Sequence, residues 1–235
     1  MSDNPWRSNR RTFLISSGAG AALAGAAALH ANPNDLKDKD VTLNAYKPVY
    51  LKPNEWAFIM AAVARLIPSD GDGPGALEAQ VPIFIDRQLA GDYGNAGIWY
   101  MEGPHDPTAA PDRGWQTPLT PAQLYRQAIP AVDAWCQLRW SKSFAQLDAA
   151  QQDEALTGLQ KGEAKLAPEL SIFFSTLLAN TKEGYFADPR HGGNHHMVSW
   201  KYIGFPGARA SFREWVDQHN KKYPLGPVSI SGERA

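Results

Sequence analysis

Apolar side chains in this chain return every three or four residues in short runs, and proline or glycine stops most of them. That period leaves one face of a helix to be buried, whereas no stretch sustains the alternation that a half-buried strand needs. The chain is therefore expected to be all-α, a compact bundle of about six short helices with long ordered loops rich in Gly, Pro and aromatic residues. The 18 prolines and 20 glycines suit short helices, and 43% hydrophobic with 20% charged residues are values of a globular chain able to fill a core.

Local signals place the helices. Ile59, Val63, Leu66 and Ile67 predict a first helix over about 54–67, stopped by Pro68. Pro82 at a first-turn position, followed by Phe84, Ile85 and Leu89, predicts a second that ends at Gly91. The third has the clearest start: Thr120 caps it, Pro121 takes the first position and Gln123 completes a capping box. Leu124, Ala128, Val132, Trp135 and Cys136 share one of its faces, and Pro130 is expected to bend it. Asp148 with Gln151 opens a fourth, carrying Ala155, Leu156 and Leu159 and closed by Gly162. A fifth is expected from Pro168, with the stripe Leu170, Phe173, Phe174, Leu177 and Leu178, and a last short one over about 211–220 with Phe212, Trp215 and Val216 on one side.

Between these lie segments with a different character. Residues 32–53 read as an extended arm without helical period, and 54–235 as one all-α domain. The loop 69–75 carries Asp70 and Asp72, but Pro74 interrupts any calcium loop and Val81 stands where its closing carboxylate is needed. The long stretch from Gly91 to Pro118 holds Trp99, Tyr100, Met101 and Trp115, so it is expected to be an ordered loop packed on the body or on a partner.

Ahead of the arm, Arg10 and Arg11 stand before Phe13 and Leu14, and no Asp, Glu, Lys or Arg occurs from Thr12 to Asn34. A charged head, an apolar stretch and a small-residue exit near Leu29-His30-Ala31 form the layout of a twin-arginine export signal over 1–31. Ser16, Ser17, Gly18, Gly20 and Gly25 dilute its hydrophobicity, which suits this route better than the unfolded-chain one. A dinucleotide loop does not fit those glycines, because no strand precedes them and the third falls too late. Whether the signal is cleaved or kept as an anchor stays open at this level.

Other classes are narrowed by composition. A formal net charge of −1 gives no basic face for nucleic acid. Cys136 is the single cysteine, which excludes an internal disulfide, a CxxCH haem attachment and a cysteine-held iron–sulfur cluster from this chain alone. Its plain reading is a small apolar side chain on the inner face of the third helix.

The segment between the fifth and last helices is the most specific. It runs Gly184-Tyr185-Phe186-Ala187-Asp188-Pro189-Arg190-His191-Gly192-Gly193-Asn194 and, after His195-His196-Met197-Val198-Ser199, Trp200-Lys201-Tyr202-Ile203-Gly204-Phe205-Pro206-Gly207. Polar, glycine and aromatic residues alternate without period, and such a stretch persists only if its backbone groups find partners within the domain or across an interface. It resembles the hallmark of the gluconate 2-dehydrogenase subunit 3 family, close to G-Y-F-x-D-P-x-Y-G-G-N followed by W-K-x-I-G-F-P-G. Ala64-Arg65-Leu66-Ile67-Pro68, Gly73-Pro74-Gly75-Ala76, Phe84-Ile85-Asp86-Arg87-Gln88-Leu89 and Pro118-Leu119-Thr120-Pro121 are similar to that family in the same order. His191 departs from it, standing where Tyr is usual, and His195 and His196 stand where charged residues are expected.

The resemblance implies a non-catalytic small subunit without a cofactor of its own. Its partners would be a large FAD-containing subunit of the glucose-methanol-choline fold, a multihaem cytochrome c subunit and the twin-arginine translocase. The complex would sit in the periplasm at the inner membrane, and the substrate, whether gluconate, glucose, fructose or another polyol, would be selected by the large subunit. Tyr185, Phe186, Asp188, Pro189, Arg190, His191, Gly192, Gly193, Asn194, Trp200, Lys201, Phe205 and Pro206 are then expected at the partner interface, although the sequence does not decide whether 184–207 is mainly interface or mainly core. Cys136 has a second reading, a disulfide to the catalytic subunit, since a lone cysteine in an oxidising compartment can pair between chains.

Two other chemistries compete. Asp188, His191, His195 and His196 offer donors for zinc, but Gly192 and Gly193 oppose a helix that would pair His191 with His195. An independent exported hydrolase would need a nucleophile, and Ser199 lacks a Gly-x-Ser-x-Gly setting, while His105 and Asp106 lie between Pro104 and Pro107.

Overall fold

The computed structural model describes residues 42–235 apart from Asp72, Pro107, Pro111 and Asp112. The expected signal, with Arg10, Arg11, Phe13 and Leu14, lies outside the described residues, as do 32–41 and Asp72 of the loop considered for calcium.

Six α-helices and no strand occur among the described residues: α1 Pro53–Leu66, α2 Val81–Ala90, α3 Pro121–Trp140, α4 Ala149–Gln160, α5 Phe173–Phe186 and α6 Val198–Ile203. The bundle is all-α. Its starts follow from local chemistry. Thr120 Oγ1 accepts the Gln123 N–H at 3.3 Å while Gln123 Oε1 accepts the Thr120 N–H at 2.9 Å, and Asp148 and Gln151 repeat the exchange at α4. Each pair satisfies two main-chain donors that the first turn leaves open. Pro130 sits inside α3 on its exposed side.

The helices close around Phe58, Phe144 and Phe173, with ring centroids 4.7 and 6.1 Å from Phe58. Tyr125, Ile59, Leu124, Ile129 and Leu177 fill the space about them, all fully buried. α1 packs on α2, on α4 and on the 3-10 turn Phe144–Gln146, while α2 lies along α5. A buried Glu55 on α1 pairs with Arg126 on α3, and Arg126 also donates to the Tyr50 carbonyl at 2.8 Å. Breaking such a pair from one side would strand a buried charge.

The arm residues Tyr46 to Leu51 are tied to α2 through one carboxylate. Asp86 accepts from Tyr46 Oη at 2.7 Å, from the N–H of Val49 at 2.7 Å, of Tyr50 at 3.0 Å and of Leu51 at 2.8 Å. Its burial is therefore matched by four donors.

Three sequence expectations change. The fifth helix does not begin at Pro168: a 3-10 turn Pro168–Leu170 comes first and α5 starts at Phe173, then runs on through Gly184, Tyr185 and Phe186. Its buried side includes Thr176, Asn180 and Thr181 beside Phe173 and Leu177, whereas Phe174 and Leu178 are only partly covered. The last helix is absent over 211–220, where a 3-10 turn Arg213–Trp215 stands instead. Phe212 and Val216 are 40% and 67% exposed, so the packing that a short helix depends on is missing. The Gly91–Pro118 loop packs on the body in part, as expected: Trp115 lies against the core and meets Trp99 in a tilted contact with centroids at 5.0 Å, while Ile98 and Tyr100 face solvent.

Candidate functional site: the glycine-rich clamp and its aromatic rim

The unusual segment begins inside α5, because Gly184 lets that helix approach α2. A Cβ on Gly184 would lie 2.7 Å from the Phe84 ring, and one on Gly193 would lie 2.1 Å from the Gly184 carbonyl oxygen. The two glycines thus permit the close layering of α2, α5 and the returning chain.

Past α5, two 3-10 turns, Pro189–His191 and His195–Met197, lead into α6. Periodicity could not reveal α6, since left-handed residues bound its six positions, Met197 at φ 55° and Gly204 at φ 71°. Asn194 and His196 are left-handed as well, at φ 47° and 52°. Such conformations cost roughly 1 kcal/mol or more for residues with a Cβ and persist only where surrounding contacts impose them.

Those contacts come from a buried polar clamp. Asn194 Nδ2 donates to the Ala187 carbonyl at 3.0 Å, and its Oδ1 accepts the Ser199 N–H at 2.9 Å and lies 2.7 Å from Ser199 Oγ. Ser199 Oγ also approaches the Tyr185 carbonyl at 2.5 Å, and Trp200 Nε1 donates to the Phe186 carbonyl at 2.9 Å. These bonds take up main-chain acceptors at the end of α5 that no further helical turn would satisfy. Tyr185 Oη reaches across to the Pro74 carbonyl at 2.6 Å. Asp188 caps its own turn through the Arg190 N–H at 3.1 Å and holds the tail through the Ile230 N–H at 2.7 Å.

The expected interface residues therefore separate into two sets. Tyr185, Asp188, Gly193, Asn194 and Trp200 are buried within the chain, while Phe186, Arg190, Lys201 and Phe205 are exposed and Pro189, His191, Gly192 and Pro206 are intermediate. The segment is core on its polar inner side and surface on its aromatic outer side. Phe186, Tyr202, Ile203, Phe205 and Phe212, each at least 40% exposed, supply apolar side chains to that rim. Tyr202, Ile203 and Phe212 were missed as site residues by sequence reasoning, as was the clamping role of Ser199. A signal for Asp86 was available, an acid set directly after the apolar run Val81 to Ile85.

The competing chemistries find little geometry. Ser199 is fully buried with its hydroxyl engaged, and Asp106 Oδ1 accepts from the Thr108 N–H and Oγ1. The His195 and His196 rings lie 3.8 Å apart, and His196 Nδ1 is 4.0 Å from Glu233. Among the described residues no group of three or more His, Cys, Asp or Glu is placed to hold a metal ion. Burial and the neighbouring Arg190 lower the His191 pKa below its ordinary value, with Asp188 opposing.

Cys136 lies in the core beside α3's other inner residues, fully buried, and burial with the nearby Asp133 carboxylate pushes its thiol up to about 12. A thiol so placed is neither accessible nor readily ionised, so the geometry favours the packing reading over a bond to another chain. No helix among the described residues is long and apolar enough to cross a membrane.

No match emerges among curated proteins or among solved structures. A family model described as Gluconate 2-dehydrogenase subunit 3 matches residues 53–207, which begins at the first residue of α1 and ends at the last glycine of the clamp. With the clamp, its glycines and the helices that carry them all inside that match, this chain belongs to the gluconate 2-dehydrogenase subunit 3 family.

Proposed function

We propose that the chain is the non-catalytic small subunit of a periplasmic, membrane-associated, FAD-dependent dehydrogenase of the gluconate 2-dehydrogenase type. In this reading it carries the twin-arginine signal, escorts the folded flavoprotein across the membrane and stays bound to it. FAD belongs to the large subunit and haem c to a cytochrome subunit. The single observation that carries the reading is the family match over 53–207. The exposed aromatic rim supports it, because clustered apolar side chains outside a well-filled core mark surfaces that other proteins cover. The arrangement at Asp86 suits an escort, since residues 46–51, on the signal side of the helical body, are held by a folded helix.

The test is the double substitution Arg10→Lys and Arg11→Lys. Dehydrogenase activity should shift from the periplasm to the cytoplasm, with the flavoprotein retained there as a folded, yellow species. Undiminished periplasmic activity in that strain would refute the escort role.

A further inference from the structure

Behind the rim, α6, the turn Arg213–Trp215 and residues 221–223 enclose a groove of about 570 Å³. Its aromatic walls are Tyr202, Phe212, Trp215 and Tyr223, with Tyr223 packed edge-on against Phe212 at 5.5 Å and Trp215 at 5.3 Å. Lys201, Lys221 and Lys222 line it too, and among the described residues no Asp or Glu does. Lys221 Nζ bonds the neutral Gln218 Oε1 at 2.7 Å, and no carboxylate pairs with the three lysines among the described residues. The Arg209 guanidinium adds a further cation over the Tyr223 ring at 5.1 Å. Trp215 Nε1, buried in the wall, has no acceptor among the described residues.

We infer that this groove seats an acidic segment of the flavoprotein partner, an extended stretch carrying one large apolar side chain beside at least one carboxylate. The proposal rests on the subunit reading and assigns the contact within it. The apolar side chain seats against the rings, and the carboxylate meets the lysines. A second copy of this chain is disfavoured, because a twofold contact sets like patches together and would oppose lysine to lysine. A bilayer is disfavoured by shape, since membrane binding uses protruding apolar side chains and this site is concave. Nucleic acid is disfavoured by the net charge of −1. One side of the groove, Lys201 to Gly204, lies within the second half of the family hallmark and follows Trp200 of the clamp directly, so the clamp fixes the position of the docking surface.

The experiment uses the full-length chain, tagged and purified in complex with its flavoprotein. Zero-length carbodiimide coupling should join Lys201, Lys221 or Lys222 to Asp or Glu of the flavoprotein. The triple variant Lys201→Glu, Lys221→Glu, Lys222→Glu should weaken the complex by at least about tenfold, with Gln at the same positions intermediate, and far-ultraviolet circular dichroism should stay unchanged because all three side chains are exposed. A flavoprotein complex that forms normally with the triple Glu variant, or whose cross-links avoid these lysines, would overturn the groove assignment alone. Cross-links solely between copies of this chain would do the same, as would loss of binding to phosphatidylglycerol vesicles with the complex intact. If the wild-type chain holds no flavoprotein at all, the subunit reading falls first and takes the groove assignment with it.

Discussion

Between Pro53 and Phe186 the chain buries hydrocarbon: Phe58, Ile59, Tyr125, Phe144, Phe173 and Leu177 meet in one continuous core. Between Ala187 and Gly207 the fully buried side chains include Asn194 and Ser199, and what they meet is each other and main chain. The helical body can tolerate changes of shape, because apolar contacts are non-directional and side chains can partly repack. The clamp cannot, since each donor there has a particular acceptor and an unmatched one stays buried. A surface that must present aromatic residues in a set arrangement is better held by the second kind of structure.

The largest effect should come from Phe58→Ala in the body, which removes the ring between Phe144 and Phe173 and should cost about 3–5 kcal/mol of unfolding free energy by urea titration. Asn194→Ala comes next. It leaves the Ala187 carbonyl and the Ser199 N–H without their partners, for a loss of roughly 2–3 kcal/mol, and should reduce flavoprotein binding beyond what the stability loss explains. A loss under about 1 kcal/mol would mean that the clamp is not directional and would erase the contrast drawn above. Asp86→Asn should cost about 1–3 kcal/mol and expose residues 42–52 to limited proteolysis, because a carboxamide turns a donor toward some of the four groups that now donate. Thr120→Ala tests a purely local contribution, with about 1 kcal/mol expected and no change in partner binding. The smallest effect concerns pH. His191 has a folded-state pKa below its ordinary value of 6.5, so the unfolded chain binds protons more readily and stability falls as pH drops through about 6.5. His191→Gln should flatten that acid limb in thermal melts, and an unchanged limb would assign the sensitivity elsewhere.

How much was legible in the sequence follows from the range of each interaction. The start of α3 could be read because Thr120 and Gln123 exchange bonds within one turn, and α1, α2 and α4 because their apolar spacing is itself local. The pattern over 211–220 misled for the complementary reason: Phe212, Trp215 and Val216 have helical spacing, but Phe212 and Trp215 meet Tyr223 in place of the helical core and Val216 faces solvent. For 184–207 the motif marked the segment without revealing its inside and outside. Tyr185 meets Pro74, Asp188 meets Ile230, and the groove joins Lys201 with Lys221 and Lys222. No spacing rule connects residues so far apart.

By itself, then, the sequence determined the all-α class, the starts of α1 to α4, much of the core and the hallmark that places the chain in its family, since these depend on period, capping and residue order. Only the tertiary structure decided that Asn194 and Ser199 look inward, that Asp86 gathers the arm, and that three lysines line one aromatic groove. Hydrogen bonds and charge pairs act over a few ångströms in space, and the fold alone fixes which distant residues come within that reach.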